Sequence, residues 1–112
     1  MKDTVVLVTN YGMGKADEKL QLMLLAKYFE LMLQGGSLPS AVCFYTDGAR
    51  LVCEGSPVIA QLRELETKQV RLIICSTCLD YFGLKDKVRV GIVGGMGDIL
   101  EAQTKAEKVI TI

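Results

Sequence analysis

Short apolar runs alternate with helix-like segments along the whole chain, and this alternation constrains the fold more than any other feature. The first run, Thr4 to Thr9, carries a continuous Val-Val-Leu-Val, the pattern of a strand buried on both faces. Ala41 to Tyr45, Val70 to Cys75, Val90 to Val93 and Lys108 to Ile112 read as four further strands. Between them lie a long helical segment from about Ala16 to Gln34, a helix opened by Ser56-Pro57, a short helix over Thr77 to Phe82 closed by Gly83, and a last helix from Gly97 to Thr104. Repeated strand-helix units imply right-handed βαβ crossovers and a mostly parallel sheet covered by helices on both faces. With no Pro/Ser-rich linker and no repeat in 112 residues, one domain over residues 1–112 is expected. In such sheets the site lies outside the carboxyl ends of the strands, where loops begin at Asn10, Thr46, Cys75 and Gly94.

The long helix is more apolar than one sheet contact requires. Leu22, Leu25, Ala26, Phe29, Met32 and Leu33 follow helical spacing as a core-facing stripe. Leu20, Met23, Leu24, Tyr28 and Leu31 are left over, either as a wide core contact or as a contact with another copy, and a homo-oligomer is expected.

Charge and composition remove several classes of function. Lys and Arg number 13 and Asp and Glu number 13, a balance that argues against a nucleic-acid partner. There is no His, so Ser-His-Asp and Cys-His mechanisms and His-ligated metal sites are excluded. No apolar run approaches the ~20 residues of a membrane span, and Val5 to Val8 is too short for a signal peptide. A cytoplasmic protein with no membrane partner is therefore expected.

The remaining chemistry is in the cysteines. Cys43, Cys53, Cys75 and Cys78 are expected to be free thiols, and the last two form Cys75-Ser-Thr-Cys78. Cys75 closes the third strand and points toward the crevice, Ser76 suits an N-cap, and Cys78 falls in the first helical turn. Unpaired amides at such a junction favour thiolate, so a lowered pKa and nucleophilic sulfur are expected there. Cys43, between Val42 and Phe44, reads instead as a packed core residue.

Other uses of these motifs fit less well. Structural zinc needs four ligands, and the other thiols lie mid-strand and in a separate loop, so no metal is expected. A thioredoxin fold places a proline after its C-x-x-C, whereas Pro39 and Pro57 both precede this one. Gly91-Ile-Val-Gly94-Gly95-Met-Gly97 sits in the last βα unit without an acidic residue about twenty positions on, and Gly14-Lys15 lacks the rest of a P-loop. These glycines read as tight turns, and no cofactor is expected.

Taken in order, Met13-Gly14 with Asp17-Glu18 and Leu20, Phe44-Tyr45-Thr-Asp-Gly48, Ile74-Cys75-Ser-Thr-Cys78-Leu-Asp-Tyr-Phe-Gly83-Leu-Lys-Asp and the terminal Ala106-Glu-Lys-Val-Ile-Thr-Ile112 resemble the DsrE/DsrF-like family. The likeness is strongest to its YedF-like branch, associated with selenium metabolism. The resemblance implies a three-layer α/β/α sandwich with a five-stranded sheet, assembly into oligomers and, in sulfur-relay members, a cysteine that carries persulfide sulfur. That family cysteine aligns on Cys75, and Cys78 matches the additional cysteine of the YedF-like branch. YedF-like proteins open with a TusA-like domain, whereas this sequence starts at the DsrE-like part, so a sulfur donor, with a TusA-like protein as one candidate, is expected as a separate partner.

The expected function is sulfur relay or sulfurtransferase-like chemistry, with Cys75 as persulfide carrier, Cys78 as resolving or modulating thiol, and donor and acceptor proteins as partners. A non-catalytic assembly module of sulfur metabolism, a thiol-redox protein using the same pair and a small-ligand binder are the competing readings. Lys15, Asp47 and Arg50 are candidates for assisting the sulfur by loop position alone.

Overall fold

A computed structural model describes residues 1–112. In chain order it contains β1 (Thr4–Val8), α1 (Glu18–Gly35), β2 (Ala41–Phe44), α2 (Ile59–Thr67), β3 (Arg71–Cys75), α3 (Ser76–Phe82), β4 (Ile92–Gly94), α4 (Met96–Lys105) and β5 (Lys108–Thr111), with 3₁₀ segments at Thr46–Val52 and Lys85–Lys87. The strands form one parallel sheet in the order β4-β3-β2-β1-β5. This is the three-layer α/β/α sandwich that the sequence pattern and the resemblance imply.

The chain's path explains which helix covers which face. From β1 to β4 each connection steps in the same direction, so right-handed crossovers put α1, α2 and α3 on one face. From β4 the chain returns across the full sheet to β5, and the same handedness puts α4 on the other face. Leu25, Phe29, Leu62, Leu65 and Leu79 pack against the side of the sheet formed by Val6, Val8, Val42, Phe44, Leu72 and Ile74. Ile99 and Ala102 of α4 cover Val5, Leu7, Ala41, Cys43, Ile73 and Cys75. The helical side therefore changes between β3 and β4, which pair at their carboxyl ends through Cys75 and Gly94. Crevices of open parallel sheets form at such a change of side.

Helix α1 separates its two apolar sets as spacing predicts. Leu25, Phe29 and Met32 are buried, with Leu22, Ala26 and Leu33 packed at the margin of the same cluster. Leu20, Met23, Leu24 and Leu31 are exposed and Tyr28 is half-buried. Gly36 takes the left-handed conformation (φ 71°) that stops the helix, its N–H donating to the Met32 carbonyl. No helix is long and apolar enough to cross a membrane.

Several boundaries differ from the sequence reading. Helix α2 starts at Ile59 rather than Pro57, because the Ser56 hydroxyl accepts the Val58 N–H (3.3 Å) in a turn ahead of it. Strand β4 starts at Ile92 because Gly91 has φ 88° and its Cα lies against Leu72 and Ile74, interrupting the run from Val90. The stretch after β2, read as a loop, is the 3₁₀ segment Thr46–Val52, which buries Ala49, Leu51 and Val52. It descends on the end of β1 so closely that a Cβ at Gly48 would overlap the Val8 carbonyl oxygen.

A matched pair of glycine substitutions tests this packing. Gly48→Ala is expected to destabilise the fold by about 1–3 kcal/mol in denaturant titrations, because backbone must move to admit the methyl. Gly97→Ala, in α4 with open space around its Cβ position, is expected to be neutral or stabilising by up to about 1 kcal/mol. Equal effects at the two positions would refute the close approach.

Candidate functional site

Three chain segments meet at the carboxyl edge of the sheet. Strand β3 runs into α3 with no intervening loop, so Cys75, extended at φ −64° and ψ 116°, is itself the N-cap, rather than Ser76. Cys78 is the third residue of α3. The helix is closed at Gly83 (φ 69°), which donates to the Asp80 carbonyl at 3.1 Å. Opposite stands the start of the 3₁₀ segment, leaving a groove of about 320 Å³ lined by Thr46, Asp47, Thr77, Cys78, Tyr81 and Phe82. Tyr81 is 87% exposed at its rim.

Thr46 connects this groove to the frame. Its φ of 50° is unusual for a β-branched residue and is sustained by the Thr46 hydroxyl, which donates to the Thr9 carbonyl at 2.6 Å. In this conformation the Thr46 backbone N–H donates to Cys78 Sγ at 3.1 Å. Sequence reasoning marked residue 46 only as the start of a loop. Nothing in a threonine announces positive φ, because the requirement arises from the descent of the following segment onto β1.

The two cysteines of the motif have different environments. Cys75, expected to face the crevice, is 1% exposed and packs beneath α4 with Cys43, Ile73 and Ile99. Cys78 is partly exposed, lines the groove and packs against the core clusters of both sheet faces. It packs against the cluster that contains Cys75, and the neighbouring Cys75 thiol is one of the effects on its acidity. Burial is the main effect that raises the Cys78 pKa, the Cys75 contact adds to it, and the Thr46 N–H works in the opposite direction. The expected acidified thiol at Cys78 is thus corrected: desolvation at the core margin outweighs the nearby amides. Burial pushes Cys43 up to about 11 despite the opposing charge of Arg71, and burial likewise raises Cys53 against the effect of Arg50. Both are core residues.

Of the three candidate assisting residues, the structure brings one into the groove. Asp47 lines it, and Arg50 pairs with Asp47 at 3.6 Å while its guanidinium lies 4.5 Å over the Tyr11 ring. Lys15 is exposed on the loop after β1, outside the groove lining. Tyr81 and Phe82 were not singled out from sequence, although their i+3 and i+4 spacing from Cys78 places them beside it on α3.

The glycine loops serve turn geometry. The Gly95 N–H donates to the Asp98 carboxylate at 2.9 Å, so an acidic side chain already occupies that amide. In the first loop Gln21 accepts from the Ala16 N–H at 2.8 Å and donates to the Tyr11 carbonyl at 3.2 Å, fastening the turn to α1. No group of three or more His, Cys, Asp or Glu side chains is placed to hold a metal ion.

The fold defines a class, compact parallel α/β/α proteins, and in this chain two cysteines stand where β3 passes into a short helix. Within that class, the chain belongs to the DsrE/DsrF-like family, which it matches over residues 2–112. Membership links it to sulfur metabolism. No curated protein matches it in sequence. Among solved structures it is similar to the ychN protein from E. coli, at 18% identity and TM-score 0.76 over 100% of both chains. It is also similar to MTH1491, a protein of unknown function from Methanobacterium thermoautotrophicum, at 21% identity and TM-score 0.71 over 97% of each chain. BT1422 from Bacteroides thetaiotaomicron, also of unknown function, matches at 18% identity and TM-score 0.65 over 98% of this chain and 95% of its own. At these identities the likeness concerns the fold.

The environments of the four sulfurs make alkylation a direct test. Iodoacetamide is expected to modify Cys78 first, with a rate still climbing past pH 9 because the reactive thiolate is disfavoured below it. Cys43, Cys53 and Cys75 should react only as the fold opens. Peptide mapping across pH 7 to 10 reads the order, and a Cys78 rate already level below pH 8 would contradict the site's electrostatics.

Proposed function

We propose that the protein carries sulfane sulfur as a persulfide on its Cys75/Cys78 pair, with Cys78 as the thiol that meets the donor. The observation that carries this reading is the contrast between the two sulfurs: Cys78 opens on the groove and receives the Thr46 N–H, whereas Cys75 is sealed behind it. In the loading step Cys78 thiolate attacks the outer sulfur of a donor persulfide, forming Cys78–S–SH as the donor leaves as thiolate. In the delivery step an acceptor thiolate attacks that outer sulfur and Cys78 thiolate is released. The raised thiol pKa gives a small thiolate fraction at neutral pH, so loading depends on a donor docked at the groove. Exposed Tyr81 and half-apolar walls offer such a partner a surface; a TusA-like protein is one candidate donor, and sulfur and selenium are equally compatible with the residues present. Four free thiols support a reducing, cytoplasmic setting.

This reading exchanges the roles that the alignment on Cys75 suggested. A second reading, an assembly module of sulfur metabolism without turnover, is favoured by the same raised pKa. Incubation with inorganic polysulfide followed by intact-mass measurement separates them. Wild type, sampled at the earliest times, and Cys75→Ser are expected to gain one sulfur and Cys78→Ser none. Loading lost in Cys75→Ser and retained in Cys78→Ser would return the carrier to Cys75. No loading of wild type by any of several donors would favour the assembly module.

We also propose that the protein self-associates through the outer face of α1, where Leu20, Met23, Leu24 and Leu31 are exposed on one helix. Light scattering should find more than one copy per particle at micromolar concentration. Leu24→Glu should reduce that number, and a wild-type monomer would remove the proposal.

A further inference from the structure

The persulfide reading gives the buried cysteine no task, yet its placement suits one. Cys78 packs against the covered cluster that contains Cys75, while it also lines the groove, which Cys75 does not. A sulfur added to Cys78 has the groove as its open side, so Cys75, in the covered cluster, would meet the inner sulfur from the side away from solvent. Displacement at a sulfur–sulfur bond proceeds through such an approach, with the nucleophile opposite the leaving sulfur. The two residues are one helical turn apart, a Cα separation of about 5 Å that falls within the range a disulfide spans. Cys75 is closed to solvent thiols, and of the two sulfurs that share its surroundings, Cys43 and Cys78, Cys78 is the one that opens on the groove where a persulfide would form.

We propose that Cys75 is the resolving thiol of this site: it attacks the inner sulfur of a Cys78 persulfide, closes a Cys75–Cys78 disulfide and expels the outer sulfur as hydrosulfide. The proposal rests on the persulfide reading and adds a second outcome to it. The balance is Cys75–SH plus Cys78–S–S⁻ giving Cys75–S–S–Cys78 plus HS⁻, with the Cys75 proton passing to the departing sulfur. The carried sulfane sulfur gains two electrons and the two cysteine sulfurs supply them. A dithiol reductant then restores the pair. A docked acceptor and Cys75 compete for the same persulfide, so the protein hands sulfur on when an acceptor is present and releases inorganic sulfide when none is.

The test uses the full chain loaded with inorganic polysulfide, freed of excess donor and held without oxygen, while intact mass, released sulfide and disulfide-linked peptides are followed. Wild type is expected to lose its added sulfur, release one sulfide per loaded chain and acquire a Cys75–Cys78 disulfide that dithiothreitol reverses. Cys75→Ser, or Cys75→Ala if the serine variant does not fold, is expected to release no sulfide and hold its sulfur at least about tenfold longer. Wild type that loads but keeps its sulfur as long as these variants, or that links Cys78 between chains, overturns the resolving role and leaves the carrier reading intact. Wild type that never loads overturns the carrier reading and this proposal with it. Sulfide release with the Cys75–Cys78 disulfide in wild type supports the proposal even where neither variant can be prepared.

Discussion

The arrangement of the carboxyl edge depends on one close approach, the passage of Gly48 over the Val8 carbonyl at the end of β1. That carbonyl already accepts the Tyr45 N–H at 3.2 Å, and only a residue without a side chain can cross it at this distance. Because the chain descends there, the 3₁₀ segment buries Ala49, Leu51 and Val52 in the larger core cluster. Thr46, one step before the descent, is held at positive φ with its N–H turned to Cys78. Side-chain volume at residue 48 would therefore be felt at the sulfur, 30 residues away in sequence.

The path of the chain across the sheet supplies the other half of the site. Four strands laid down in one direction put three helices on one face, and the return to β5 puts a single helix on the other. The two cores are unequal as a result, 19 buried residues against eight, and the smaller one contains Cys43 and Cys75. Cys75 stands at the change of helical side, where sheets of this kind open a crevice, but its own side chain points under α4. Cys78, one turn further on, reaches the groove. The fold thus brings two thiols together while giving them opposite access to solvent.

Opposing electrostatic effects meet at Cys78. An amide pointed at the sulfur favours thiolate, whereas burial and a neighbouring thiol favour the protonated form, and burial is the larger influence. A thiol balanced in this way has a smaller thiolate fraction at neutral pH than a free cysteine. That direction distinguishes this site from one in which a helix terminus alone activates the sulfur.

The alternation of apolar runs, the glycine stops of α1 and α3 and the separation of two stripes on α1 were legible in the amino-acid sequence, because each depends on local periodicity and backbone freedom. The C-x-x-C motif was legible for the same reason, as was the family resemblance carried by the residues around it. Which cysteine faces solvent was not. A residue at the end of a strand points to one side of the sheet or the other, and only the register of β3 against β2 and β4, together with the placing of α4, decided that Cys75 is covered. The sign of the Cys78 pKa shift likewise depended on packing from both core clusters, which a four-residue motif does not encode. The sequence by itself determined the layers of this protein and the paired thiols at its sheet edge; the tertiary structure decided access and acidity, because both are set by neighbours distant in the chain.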